Sequence, residues 1–439
     1  MSRTERGYVT AKFGGTSLKN AERFEVAAQI VEAEPERQDV VTSAPEGVTD
    51  LLEKCSISIG EGGGFDRAFR TIAEQFEKIA EGFRSRTVRA WLREIHDGIN
   101  TKKPRAWVMS RGENLSAKLM AERLGVPFVD TAEVMRRDEK DGFELITDRL
   151  PTHGVVVYPG FYASTDGNPE NLVLIGRNAS DVSGAIVTRG VGNRLYEIWT
   201  NQPGMRAANP EIITDASVIY NLTHQEAREL AYTGAKVVHP DTIPYLDDAR
   251  AALWVPIHVR DSYRQEEPGS LITQERDSPE GETVIGIAGK SGFWSIEIEK
   301  PGLNRKKGAT KPIFDVLEAE GVSYEESPAS LDHQSIIVHR DEIGEKGAKV
   351  LDGIERAVEP TRLELQKKDM SVICVVGQGI QARASKVKGQ LYAALDADGI
   401  NHEFEVMSRS GNNVIFGVDT AKYVDTVELL YDLFIANSL

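Results

Sequence analysis

The sequence predicts an α/β protein: a sandwich around a mainly parallel sheet, followed by two small ferredoxin-like modules. Three observations carry this. Short apolar runs alternate with helix-periodic segments over about the first 270 residues, the pattern of linked βα units. A polar break, "DSPEGET" (277–283), ends the alternation. Beyond it a β–α–β pattern occurs twice, in stretches of about 70 residues each.

Residues 8–13, "YVTAKF", read as a strand ended by Gly14-Gly15. Asn20 is the cap candidate for the helix "AERFEVAAQIVEAE", whose apolar residues recur at three and four. "DVVTSAP" is a second strand with a turn. "GVTDLLEKCSISI" opens a helix, and further helical segments run to about residue 100. "ENLSAKLMAERLG" reads as an amphipathic helix with Glu113 in its first turn and Gly125 at its end. "VPFVD" and "GVVVYPGFY" are expected strands, and "SDVSGAIVTRGVG" a helix of small residues. "LYEIWT", helix "THQEARELAYTGA" and strand "VPIHVRD" complete the first region. In the second region "FWSIEIE", helix "ATKPIFDVLEAEG" and "SIIVH" form one unit. "SVICVVG", helix "ASKVKGQLYAALDADG", "NVIFGV" and helix "YVDTVELLYDLF" form the other. The expected domains are 1–278, 279–370 and 371–439. Strand "TVIGIAG" (283–289) can instead belong to the second module, with the first inserted between it and residue 371.

A chain of 439 residues is too long for one core and fits two or three domains. With 40% hydrophobic and 27% charged residues it has the composition of a soluble globular protein. A formal net charge of −16 and a pI near 5.1 argue against nucleic acid and anionic membrane as partners. Cys55 and Cys374 are far apart and form neither a metal spacing nor a disulfide framework, as expected for a cytoplasmic protein. No apolar run approaches the roughly 20 residues of a membrane span. "MSRTERGYVTAKF" lacks the apolar core of a signal peptide.

Four short stretches have the residue types of an anion-handling site. "AKFGGTS" (11–17) sets a lysine at a strand end before two glycines and two hydroxyls. Glycines let backbone amides approach phosphate, and the lysine adds a point charge. The spacing is not that of a Walker A loop, and a tight turn with a surface lysine explains the stretch equally well. "IGRNASDVSG" (175–184) places Arg177 in a turn and Ser180-Asp181 at a helix start, where anions are favoured, although either residue could simply cap the helix. In "MSRGENLSAK" (109–118), Glu113 could hold an ammonium or merely complement the helix dipole. "YTGAKVVHP" (232–240) puts Lys236 after a helix end, an ordinary place for a basic residue.

Together, in order and spacing, "KFGGTS", "SAPEGVTD", "SRGENLSA", "PGFYAS", "GRNASD", "EIWTNQPG" and "ELAYTGAKVVHP" resemble the motifs of aspartate kinases of the amino-acid kinase superfamily. The resemblance covers nearly the whole chain. The C-terminal modules are similar to the paired ACT domains of that family, through "KVKGQLYAALDADGIN" and "SPASLDHQSIIV".

The resemblance implies an amino-acid-kinase α/β/α sandwich, two βαββαβ ACT domains, and transfer of the γ-phosphoryl group of Mg-ATP to the side-chain carboxylate of L-aspartate. It implies that Lys12 binds the transferring phosphoryl group and that Asp181 orients Lys12. By the same resemblance Arg177 clamps the acceptor's carboxylate, Glu113 takes its ammonium, and Ser43, Thr49 and Ser180 complete the acceptor site. Gly14, Gly15, Thr16, Ser17, Thr200, Asn201, Arg206, Lys236 and Val237 would bind the nucleotide. Mg2+ would be held mainly by the nucleotide rather than by a protein metal site. A lysine or threonine effector would meet Asn304, Ser327 and Asp332, or these are ordinary loop residues, and the ACT pair would support a homodimer or larger homo-oligomer.

The sequence departs from the family pattern on one side. Asn178-Ala179 replaces two glycines, and Ala tolerates a left-handed backbone poorly. Asn201, Asn209 and Glu211 stand where the family has Asp, Asp and Arg, and Arg206 could restore the lost charge. These departures keep open a kinase of the same fold with another acceptor or altered nucleotide use, and a non-catalytic ACT amino-acid sensor.

Overall fold

The computed structural model describes residues 7–60, 64–140, 142–234, 237–248, 253–277, 283–407 and 411–436. They divide into two units. The first takes residues from 7–205, 218–231 and 237–276, and the second those from 206–217, 232–234 and 277 onward.

The first unit is built on a seven-stranded sheet. Strand β1 (Val9–Phe13) leads through a short turn to α1 (Ala21–Ala33), capped by Asn20, whose Oδ1 accepts the Arg23 amide at 2.9 Å. There follow β2 (Arg37–Thr42), α2 (Val48–Gly60), α3 (Asp66–Glu81), α4 (Val88–Asn100) and α5 (Arg105–Leu124). Next come β3 (Val156–Pro159), α6 (Ser180–Val191), β4 (Leu195–Thr200), β5 (Asn221–Thr223) and α7 (His224–Tyr232). Strands β6 (Ile257–Asp261) and β7 (Ser270–Thr273) complete the sheet. Its order is β5-β7-β6-β4-β1-β2-β3, parallel except where β6 meets β7. All five residues of β1 are buried, as expected of a central parallel strand covered on both faces. Phe24, Leu52, Ile72, Phe76 and Leu119 fill one face, while Val182, Ile186 and Val187 of α6 pack with Tyr158 on the other.

Two expectations need correction here. "VPFVD" forms a single bridge, Phe128 to Val157, and no strand. Pro127 has no amide hydrogen to give a ladder, and Asp130 instead caps the short helix Thr131–Val134 through the Ala132 amide at 3.0 Å. Helix α5 begins at Arg105 rather than near Glu113, so Glu113 sits mid-helix and gains nothing from the helix dipole.

The sheet carries a buried charge cluster. Arg37 Nε donates to Glu197 at 2.7 Å, Trp199 Nε1 donates to the same carboxylate at 3.0 Å, and Arg260 lies 3.6 Å from it. It ties β2, β4 and β6 together, with Arg37 at the N-terminal start of β2.

The second unit holds a five-stranded antiparallel sheet. Strand β8 (Gly286–Glu299) is followed by α8 (Lys311–Ala319), β9 (His333–His339), α9 (Gly347–Val358) and β10 (Arg362–Val376). Helix α10 (Ala384–Ala397), β11 (His402–Val406), β12 (Asn413–Asp419) and α11 (Tyr423–Phe434) complete it. The strand order is β9-β8-β10-β12-β11. Residues 286–291 of β8 pair with 371–376 of β10, and residues 295–299 pair with both β9 and 362–366. The expected module boundary at 370/371 therefore falls inside one continuous strand, and most of the expected linker, 278–282, lies outside the described residues. Residues 206–217 fold with this unit: Ala207 accepts the Ile287 amide at 2.7 Å, and Tyr431 accepts the Ser217 amide at 2.9 Å. Among the described residues, no helix is long and apolar enough to cross a membrane.

Candidate active site

A cavity of about 580 Å3 opens at the C-terminal ends of β1, β2 and β4, the usual ligand edge of a parallel sheet. Lys12, next to last in β1, is almost buried and forms an ion pair with Asp181. Asp181 lies in the first turn of α6, and its other oxygen accepts the His239 amide at 3.2 Å. Neither Ser180 nor Asp181 caps α6. The cap position is Ala179, which makes no side-chain cap bond, so the first amides of this helix are left without a side-chain cap at the cavity. Ser180 approaches so closely that a Cβ on Gly160 would fall 2.7 Å from it.

The glycine turn is shaped by close approach rather than by unusual dihedrals. Gly14 donates its amide to Trp199 O at 3.0 Å. A Cβ on Gly15 would lie 2.7 Å from Ala44 O, and Gly15 O accepts the Glu46 amide at 3.1 Å. The turn therefore lies directly against the Ser43–Gly47 loop, and Gly14, Gly15, Thr16, Ser43 and Thr49 all face the cavity. Ser17 does not. Buried behind the turn, it bonds Ser262 Oγ at 2.7 Å and Trp199 O at 3.3 Å.

Glu113 reaches the cavity from the middle of α5, fully inside the protein. Its neighbour Asn114 donates to Tyr162 Oη at 2.8 Å and Asp130 at 3.0 Å, which fixes the rotation of the helix. Burial pushes the Glu113 carboxyl up to about 8, against the pull of backbone donors, Arg111 and Lys12. Its Oε2 is buried and makes no hydrogen bond. A buried carboxyl with a free oxygen facing a cavity is a ready acceptor for a cationic group.

Arg177 is the opposite case. Its side chain is 79% exposed, with Asp50 at 3.7 Å as its ion-pair partner, so it is free to swing onto an anion. The loop below it resolves the missing glycines. Asn178 adopts φ +59°, the left-handed region that Asn tolerates, while Ala179 has φ −83°. One position needs positive φ, and it carries the better residue.

Thr200 and Asn201 line the cavity, as does Val237. Thr200 O accepts both the amide and the hydroxyl of Ser262, at 2.8 and 2.9 Å. Arg206 does not line it. It belongs to the second unit, where its guanidinium donates to Ala216 O at 2.7 Å. Asn209 and Glu211 also belong there, and Asn209 Oδ1 accepts the Glu211 amide at 3.0 Å. Of the expected nucleotide-wall substitutions, only Asn201 is on the wall. Lys236 lies outside the described residues. The effector candidates bond within their own loops: Asn304 donates to Ser330 O, Asp332 accepts the Gly302 amide at 2.6 Å, and Ser327 accepts from Gln334 at 2.8 Å.

Sequence reasoning missed Glu46, Asp50 and Phe161 of the cavity lining, and Ser262, which bonds Thr200 and Ser17. Phe161 lines the cavity at φ +77°, held by its amide donating to Ser183 Oγ at 2.8 Å. The Pro-Gly just before it was a usable signal of unusual backbone. Ser262 directly follows β6, the strand next to β4, and the C-terminal edge rule points to it.

The sandwich and its edge cavity, with a lysine–aspartate pair at a helix start, form a class of site suited to an anionic phosphate beside an ammonium-bearing acceptor. The sequence profile of the amino acid kinase family matches residues 8–261. Aspartokinase 3 of Bacillus subtilis is 27% identical, covering 98% of this chain and 99% of its own. The crystal structure of the aspartate kinase of Clostridium acetobutylicum superposes with a TM-score of 0.81 at 30% identity, over 97% of this chain and 100% of that one. E. coli aspartokinase III shares the fold at 21% identity. Its TM-score is 0.81 for the complex with aspartate and ADP and 0.71 for that with lysine and aspartate, covering 97% and 98% of this chain and 99% and 100% of the others. The chain belongs to the amino acid kinase family and, within it, to the aspartate kinases.

Proposed function

We propose that the protein transfers the γ-phosphoryl group of ATP to the side-chain carboxylate of L-aspartate, giving 4-phospho-L-aspartate and ADP. The observation that carries this is Glu113: a buried carboxyl with a free oxygen, in one cavity with Arg177 and the Lys12–Asp181 pair. An α-amino acid supplies the ammonium for Glu113 and a carboxylate for Arg177, a fork that suits carboxylates. Ser43, Thr49 and Ser180 bond the rest of the acceptor. A side-chain carboxylate is ionised at pH 7 and needs no general base. Its oxygen attacks the γ-phosphorus, and the bond to the bridging oxygen of ADP breaks, with that oxygen keeping the electron pair.

Lys12 neutralises charge on the transferring group, held in place by Asp181. The amides of Gly14, Gly15 and Thr16 meet the phosphates, and Thr200, Asn201 and Val237 hold the nucleoside. Mg2+ would enter with the nucleotide. The nucleotide's phosphates would hold it, with Asp181 a carboxylate of the same cavity. Lysine or threonine would act through the loops of Asn304, Ser327 and Asp332, in a cytoplasmic homo-oligomer. A nucleotide-and-acceptor screen following ADP release tests the reading. Turnover with L-aspartate and ATP is expected. Turnover with another amino acid only, or with none, would overturn it.

A further inference from the structure

Strand β6 ends at Asp261, and the residues after it reach the glycine turn that follows β1. Asp261 directs them there. It is buried, its Oδ1 accepts the Tyr263 amide at 2.7 Å, and its Oδ2 accepts Arg264 Nε at 3.1 Å. This is an Asx turn, in which a short acidic side chain bonds the backbone two residues on. It presents Ser262 and Tyr263 to the glycine turn. Ser262 Oγ lies 2.7 Å from Ser17 Oγ, and Tyr263 Oη donates to Thr16 O at 3.1 Å. Arg23, in the first turn of α1, donates to Ser262 O, and its guanidinium carbon lies 3.5 Å from the centre of the Tyr263 ring.

Successive peptide units of the glycine turn are held by their carbonyl oxygens. Phe13 O accepts the Ser43 amide at 3.0 Å, Gly14 O the Ser17 amide at 3.0 Å, and Gly15 O the Glu46 amide at 3.1 Å. The next, Thr16 O, takes the Tyr263 hydroxyl, a side chain rather than a backbone amide. A trans peptide unit is planar, with its N–H opposite its C=O, so holding the carbonyl fixes where the amide points. The Thr16 carbonyl shares its plane with the Ser17 amide, which closes the turn on Gly14 O. Tyr263 therefore holds that closing peptide from its other side. The ring itself adds little to the core, since Tyr263 is 41% exposed. Its hydroxyl bond and its stack on Arg23 are the contacts that place it.

We propose that Tyr263 is a positioning residue for phosphoryl transfer. It acts through Thr16, holding the glycine turn in the shape in which the Gly15 and Thr16 amides receive the nucleotide's phosphates. Arg23 in turn holds the Tyr263 ring. The inference rests on the kinase reading of the cavity.

Tyr263→Phe on the full chain tests it, because it removes the hydroxyl and keeps the ring. In steady-state ADP release the KM for ATP should rise about threefold to tenfold, the loss of one hydrogen bond, while the KM for L-aspartate stays unchanged. Calorimetry with ADP should show a similar factor. Arg23→Met should act in the same direction. The double variant should weaken ADP no more than the stronger single one, since both act through one contact chain. The proposal fails if Tyr263→Phe leaves ADP affinity unchanged, if both KM values rise together, or if the two single effects simply multiply. The unaltered chain separates this inference from the kinase reading. If it releases ADP with L-aspartate and Tyr263→Phe behaves as it does, this inference falls alone. If it releases none, the kinase reading falls, and ADP binding still decides whether Tyr263 sets the turn. An unaltered chain that binds no ADP overturns both.

Discussion

The proposed acceptor half and the proposed nucleotide half of the cavity are built differently. The proposed acceptor half and the Lys12–Asp181 pair at its junction with the phosphates rest on regular structure and charge: Glu113 in the middle of a 20-residue helix, Lys12 in a fully buried strand, Asp181 in a helix's first turn. The nucleotide half rests on loops tied by neutral hydrogen bonds, Ser17 to Ser262 and Ser262 to Thr200, and shows Asn201 where the family pattern has an acid. A missing charge is costly where groups are buried and few, and mild where a mobile, solvated ligand already brings its own. Substitutions in the acceptor half should therefore be severe, and those on the nucleotide wall slight.

The largest expected effect is that of Lys12→Ala. Loss of a charge aimed at the transferring group should lower kcat by about 10²–10³-fold, as measured by ADP release, with the fold retained by circular dichroism. Next is Glu113→Gln, which removes a charged bond to the acceptor ammonium. The KM for L-aspartate should rise by roughly 10–100-fold with that for ATP little changed. If both constants moved together, the two halves would not be separable. Glu113 also gives a pH signature. Its carboxyl titrates near 8 in the free protein, above its usual value of 4.5, so the folded state holds the extra proton between those values. Stability of the free protein should fall as pH rises through that window, and aspartate binding should strengthen as pH approaches and passes about 8. Melting curves and KM values against pH should lose both trends in Glu113→Gln.

Arg37→Met sharpens the comparison from below. It leaves Glu197 buried beneath both halves with Arg260 as its remaining cation, and should cost about 3–5 kcal/mol in urea unfolding while shifting both KM values alike. Ser262→Ala should raise the KM for ATP by about threefold to tenfold, with the KM for L-aspartate unchanged. The smallest effect is expected from Asn201→Asp, a change in ATP affinity within about threefold. A larger gain would show that the nucleotide wall is specified by charge after all.

Much of this difference was legible in the sequence. Lys12, Glu113, Arg177 and Asp181 stand in recognisable stretches because their chemistry fixes residue type, and the alternation of strands and helices fixes the sheet that carries them. What escaped was set by tertiary context. Helix α5 runs eight residues further back than its apolar periodicity suggests, since the helix is buried on nearly all sides and shows little amphipathic contrast. Ser17 has the composition of a phosphate loop but packs against Ser262, a partner 245 residues away. Arg206, Asn209 and Glu211 follow Asn201 closely in sequence, yet the chain leaves the first unit after Met205. The Asn178-Ala179 pair looked like damage to a glycine loop, and only the dihedrals show that one left-handed residue is enough.

The central claim is that the acceptor half delivers a carboxylate to the γ-phosphate. An acyl phosphate reacts with hydroxylamine, so trapping it during turnover with ATP and L-aspartate tests the claim most directly. The account predicts aspartyl hydroxamate in step with ADP, and neither product at low L-aspartate with Glu113→Gln. ADP without hydroxamate, or hydroxamate formation that Glu113→Gln leaves untouched, would contradict it.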